Sequence, residues 1–133
     1  MYYFSTRDEK NQVPSSLAIK LGLSSDGGLF IPSEVPVLTE EEIDSLVNMT
    51  YIDRAKFVLG KYLTDFTSEE ISECCVGAYG SGGFSSPDIA PVKKLDNKYI
   101  LELFHGPTCA FKDMALQILP YFLTAAIDRK SVV

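Results

Sequence analysis

The sequence predicts an α/β chain, mostly helical, with a few short strands and an incomplete sheet. Three observations carry this reading. Thr39-Glu40-Glu41-Glu42 and Thr67-Ser68-Glu69-Glu70 each set a hydroxyl three residues ahead of a glutamate. At that spacing the two side chains satisfy each other's free backbone amides at a helix start. Residues 51–66 and 110–127 repeat apolar side chains at helical intervals. The strand signals are short by comparison: Tyr2-Tyr3-Phe4, Leu29-Phe30-Ile31, and two extended segments, 89–95 and 98–104, around a turn at Asp96-Asn97.

Taken in order, the β-favouring amino terminus is followed by Pro14-Ser15-Ser16, which opens a helix that Gly22 and Ser24-Ser25 end. Asp26-Gly27-Gly28 is a turn, and Pro32 stops the short strand after it. The two capped starts bracket a helical cluster over residues 39–78, in which Ile52, Ala55, Val58, Leu59 and Leu63 approach one face. Tyr79-Gly80-Ser81-Gly82-Gly83-Phe84-Ser85-Ser86-Pro87 reads as a flexible connector. A phosphate-cradling role for it would need a strand before and a helix after, and a proline follows instead. Three spans result: an amino-terminal helical domain with short strands over 1–78, a Gly/Ser-rich connector over 79–88, and the start of a further domain over 89–133. Pro120 is expected to kink or interrupt the last helical run. Val132-Val133 reads as the opening of another strand, cut short.

The chain has 133 residues, enough for one modest core, with 46% hydrophobic and 23% charged residues, as in an ordered globular protein. A net charge of -6, from 18 acidic and 12 basic residues, argues against nucleic-acid binding, which depends on lysine and arginine clusters. No apolar stretch reaches the roughly 20 residues of a membrane span, and the start Met-Tyr-Tyr-Phe-Ser-Thr-Arg-Asp is neither a signal core nor a transit peptide. Cytoplasmic localisation is the expectation. Cys74 and Cys75 are adjacent, which is poor disulfide geometry, and Cys109 is the third cysteine. With a single histidine, His105, no set of about four metal ligands is in view.

The segment that carries chemistry is Leu101-Glu102-Leu103-Phe104-His105-Gly106-Pro107-Thr108-Cys109-Ala110-Phe111-Lys112-Asp113. It reads as a strand, a tight Gly-Pro loop, and a helix whose first turn bears a lysine beside an aromatic ring. Cations are normally favoured at the other end of a helix. A lysine there, partly desolvated by Phe111, is expected to have a lowered pKa, and a neutral amine is what attacks an aldehyde. The alternative is a solvated lysine beside the Asp113 carboxylate, with no chemical role. His105 is open to acid, base, phosphate-binding or purely structural roles. Thr108 is a candidate cap for the lysine helix, Asp113 a partner for a cation or for first-turn amides, and Cys109 a small packed side chain.

Glu102 to Thr108 followed by Ala110-Phe111-Lys112-Asp113 resembles the pyridoxal-phosphate lysine motif of threonine synthases. Phe-Lys-Asp alone is shared across the tryptophan-synthase-β-like group, whereas the string with His-Gly-Pro-Thr is highly specific. Tyr3-Phe4-Ser5-Thr6-Arg7, and Gly22-Leu23 through Asp26-Gly27-Gly28-Leu29-Phe30-Ile31-Pro32, resemble two further elements of that family, in the family's order. The resemblance implies an α/β parent enzyme of which this is the amino-terminal fragment, with residues 89–133 beginning its cofactor domain. It implies pyridoxal phosphate as cofactor, bound as an aldimine at Lys112, and O-phospho-L-homoserine as substrate, converted with water to L-threonine and phosphate. The family completes its cofactor site with later segments that have no counterpart here. The fragment alone is therefore expected to be inactive, to bind the cofactor weakly or not at all, and to self-associate through its exposed apolar edge. Another pyridoxal-phosphate lyase such as a dehydratase, and a standalone interaction module without chemistry, are the alternatives.

Overall fold

A computed structural model describes residues 1–128; Val132-Val133 lies outside them. The first three strands, β1 (Tyr2–Ser5), β2 (Asp8–Pro14) and β3 (Phe30–Pro32), form an antiparallel sheet in the order β2-β1-β3. Helix α1 (Ser15–Leu21) lies between β2 and β3 in the chain. Then come α2 (Glu40–Val47), α3 (Tyr51–Tyr62) and α4 (Ser68–Tyr79), the hairpin β4 (Val92–Leu95) and β5 (Lys98–Leu101), and α5 (Asp113–Leu116) and α6 (Leu119–Asp128).

Both predicted capping boxes form. The Thr39 hydroxyl accepts from the Glu42 amide while Glu42 accepts from the Thr39 amide, and Thr67 and Glu70 repeat the exchange. Helix α1 solves the same problem from a distance. Its cap position is Pro14, which has no side-chain acceptor. Asp65, in the loop after α3, takes its place by accepting from the Ser15 hydroxyl and, at 3.1 Å, from the Ser16 amide. Gly22 then ends the helix at φ 70°, a conformation that favours glycine.

The core forms around α4. Ile71, Cys74, Cys75, Ala78 and Tyr79 are buried, the i, i+3, i+4, i+7, i+8 stripe of one helical face. Leu63, Phe66, Phe84, Ile89, Ile118, Phe122 and Ala126 pack with them. The Phe66 and Phe122 rings meet edge to face at 5.2 Å. This core draws on residues before, within and after the Gly/Ser-rich stretch. Cys75 is fully buried, and burial pushes its thiol pKa up to about 11, so it fills space rather than reacting.

One strand, β2, was not expected, and two local expectations need correction or sharpening. The strand β2 carries no alternating apolar pattern because Asp8 to Gln12 are all exposed at the sheet edge. The Gly/Ser-rich stretch is anchored by Phe84 within it and Ile89 just after it, both in the core, and Ile89 is not extended but held at φ 62°, a costly conformation for a β-branched residue. The last helical run is interrupted at residues 117–118, between α5 and α6. Pro120 sits in the first turn of α6, where its missing amide hydrogen has no intrahelical bond to lose. No helix among the described residues is long and apolar enough to cross a membrane.

Candidate active site

The loop that bears Lys112 is built by two sets of polar contacts. The first centres on His105, just past β5. Its Nε2 lies 2.8 Å from Glu102 Oε2 and its Nδ1 lies 3.0 Å from the Ser85 hydroxyl. With Nε2–H donating to Glu102, Nδ1 accepts from the Ser85 hydroxyl. The Ser85 amide also donates to the His105 carbonyl at 2.8 Å. Both ring nitrogens are therefore engaged, and the side chain staples the Gly/Ser-rich stretch to the segment leading to the lysine.

The second set closes the loop on itself. Asp113 is 0% exposed. Its Oδ2 accepts from the Thr108 amide at 2.9 Å, and the Thr108 hydroxyl lies 2.9 Å from both carboxylate oxygens. Gln117 donates to Oδ1 from 3.4 Å. Burial acts to raise the carboxyl pKa, but the hydrogen bonds from the Thr108 amide and hydroxyl outweigh it and hold the pKa below the ordinary value. Gly106 lies flat against this carboxylate. A Cβ there would sit 2.4 Å from Asp113 Cβ, so no larger residue fits without displacing the aspartate. Between these contacts the Cys109 amide donates to the Gly106 carbonyl at 3.0 Å, making a tight turn.

Lys112 occupies the cap position of α5, with its backbone in the helical region. Its side chain is exposed and has no hydrogen-bond or ion-pair partner among the described residues. Several expectations change here. The carboxylate of Asp113 does not pair with Lys112, because Thr108 and Gln117 take it. Thr108 does not cap the helix; it donates to Asp113 instead. The helix is a single turn, so its dipole is far weaker than that of a long helix. Phe111 is 65% exposed and does not desolvate the amine. Cys109 is exposed rather than packed, at φ 57°, because the turn swings it outward. What the loop offers is an uncommitted primary amine on a backbone fixed from both sides. That chemistry fits condensation with the aldehyde of pyridoxal phosphate.

A third polar cluster lies in the amino-terminal sheet, and its internal bonding was not read from the residues. The Ser5 hydroxyl donates to Asp26 Oδ1 at 2.8 Å, and the Gly28 amide donates to the same oxygen at 2.8 Å. The Arg7 guanidinium donates to the Asp26 carbonyl at 2.9 Å, and the Leu29 amide donates to the Thr6 hydroxyl at 3.1 Å. The signal was present in the two strings Ser5-Thr6-Arg7 and Asp26-Gly27-Gly28, which prove to be partners. A cavity of about 1040 Å³ lies between α4 and α6, lined by Glu73, Cys74, Gly77 and Tyr121 among others. Lys112, His105, Thr108 and Asp113 do not line it. Among the described residues no group of three or more His, Cys, Asp or Glu could hold a metal ion.

Fold and loop together define a class: a small α/β unit that presents one free lysine on a clamped loop. The comparisons narrow it. The family profile described as threonine synthase N terminus matches residues 2–79. Threonine synthase-like 1 of Pongo abelii is 45% identical over 116 residues, covering 84% of this chain and 16% of that protein. The threonine synthase of Schizosaccharomyces pombe is 36% identical over 132 residues, covering 97% and 25%. The crystal structure of a PLP-bound threonine synthase from Brucella melitensis matches with a TM-score of 0.90 at 34% identity, over 98% of this chain and 28% of that one. The chain belongs to the threonine synthase family, and it spans less than a third of the length of these relatives.

Proposed function

We propose that this chain is the amino-terminal part of a cytoplasmic, pyridoxal-phosphate-dependent lyase that converts O-phospho-L-homoserine and water to L-threonine and phosphate. The observation that carries the reading is Lys112: an exposed amine without a partner, next to a fully buried carboxylate that fixes its backbone. The family assignment supports it. In this reading residues 89–133 begin the cofactor domain, and residues 79–88 join it to the part before.

When bound, pyridoxal phosphate supplies an electron sink for the carbanion chemistry. The chain's own residues do the rest. Lys112 Nζ would hold the cofactor at its aldehyde and, as a free amine, would move protons to and from the substrate carbons. Thr108 and Asp113 hold the loop from which it works. Because Ser85 and Glu102 occupy both nitrogens of His105, that side chain serves as scaffold. Val92, Leu95, Tyr99, Ile100 and Leu101 of the hairpin are exposed, which supports self-association of the isolated chain.

A second reading, another lyase using the same cofactor, draws on the relative named only threonine synthase-like. Phosphate release from O-phosphohomoserine, measured with added pyridoxal phosphate, separates the readings. The full-length protein is expected to release phosphate and the 133-residue chain alone to release none. Turnover by the chain alone would refute the fragment reading, and a full-length protein that binds the cofactor yet leaves this substrate untouched would favour the second.

A further inference from the structure

Asp113 follows Lys112 in sequence and is among the most completely buried side chains of the protein, yet it leaves the amine alone. A buried carboxylate is tolerated only when its oxygens are met by donors. Thr108 supplies two of them, through its amide and its hydroxyl, and Gln117 a third. Gly106 and Asp113, the two ends of residues 106–113, are in contact, since even one added carbon on Gly106 would overlap Asp113. Lys112 is the residue just inside that closure. One residue beyond Asp113, the carbonyl of Met114 accepts from the Tyr79 hydroxyl at 2.6 Å, tying α5 to the core. The lysine's α-carbon is therefore held within the closure of Gly106 and Thr108 on Asp113 and next to the Met114 tie, while its side chain stays free.

We infer that Asp113 and Thr108 form one positioning device for Lys112, setting where the amine stands when it meets the cofactor's aldehyde. This rests on the proposed cofactor role of Lys112. The Thr108 hydroxyl is the part of the device that can be removed with least disturbance, because valine has nearly the same shape and keeps the backbone amide. Reactions between positioned groups are sensitive to displacements of about an ångström, which cost on the order of a hundredfold in rate.

The test uses the full-length protein stripped of cofactor. Re-addition of pyridoxal phosphate gives a rate of attachment, and borohydride fixation followed by peptide mapping gives its place. Thr108→Val is expected to slow attachment and lower kcat by about 10- to 100-fold, with KM within about twofold. Thr108→Ser, which restores the donor, is expected to recover most of both. Asp113→Asn, with one acceptor oxygen fewer, should shift both readouts in the same direction as Thr108→Val. The positioning role is overturned if Thr108→Val attaches cofactor as fast as the parent, or if its loss is fully explained by a lower folded fraction in parallel unfolding curves. A parent protein that fixes no cofactor on Lys112 would instead remove the lysine reading, and the positioning role with it.

Discussion

Two loops of this molecule are built on the same plan and present different groups. In the amino-terminal sheet, Asp26 gathers Ser5 and the Gly28 amide, and a Cβ on Gly28 would lie 2.1 Å from the Ser5 hydroxyl oxygen. In the lysine loop, Asp113 gathers Thr108 and Gln117, and a Cβ on Gly106 would lie 2.4 Å from Asp113. Each has an aspartate that accepts several hydrogen bonds and a glycine that leaves no room for a side chain. In the first cluster the Asp26 carboxylate bonds the Ser5 hydroxyl and the Gly28 amide, which joins β1 to the turn before β3. The second leaves the Lys112 amine exposed and without a partner among the described residues. The two loops thus share a way of fixing the backbone and differ in the group they present.

The glycines put the largest strain on this comparison. Gly28→Ala and Gly106→Ala are each expected to destabilise the protein by about 1–3 kcal/mol through overpacking, read from denaturant midpoints. Only Gly106→Ala should also slow cofactor attachment to the full-length protein. Equal effects of both substitutions on attachment would erase the distinction between the loops.

Acid is a gentler probe, and it should act on both loops alike. The hydrogen bonds to Asp26, led by the Gly28 amide, lower its pKa. Asp65 and Asp113 are also lowered, because bonds from Ser15 and Ser16, and from Thr108, outweigh burial. A carboxyl whose folded pKa lies below the ordinary value of 3.8 contributes stability that is present above that value and lost as pH falls through the folded pKa. The denaturant midpoint is expected to drop as pH is taken below about 4, and Asp113→Asn should flatten that acid limb. A midpoint constant down to pH 3 would contradict the assignment of these carboxylates.

Much of the fold was legible because its signals are local. The Thr39 and Thr67 caps are encoded in a four-residue spacing, and both form. The stripe from Ile71 to Tyr79 is a helical period that became the core. What was illegible depended on partners distant in sequence. Asp65 caps α1 across 49 residues, and β2 exists because β1 pairs with it, from Tyr2 opposite Pro14 to Phe4 opposite Gln12. Pro120 announced an interruption but not its place. The motif singled out Lys112, while the burial of Asp113 was not legible, since an aspartate beside a lysine at a helix start ordinarily reads as solvated. Cys109 misled for a related reason: a small apolar residue suggests packing, and only the turn closed by Gly106 shows that it faces outward.

The most direct measurement is borohydride reduction of the full-length protein after loading with pyridoxal phosphate, followed by mapping of the labelled peptide. The label is expected on Lys112, and Lys112→Ala should lose it, with a fall in turnover of about a thousandfold or more. A label on any other lysine, or none on a protein that still turns over substrate, would contradict the account.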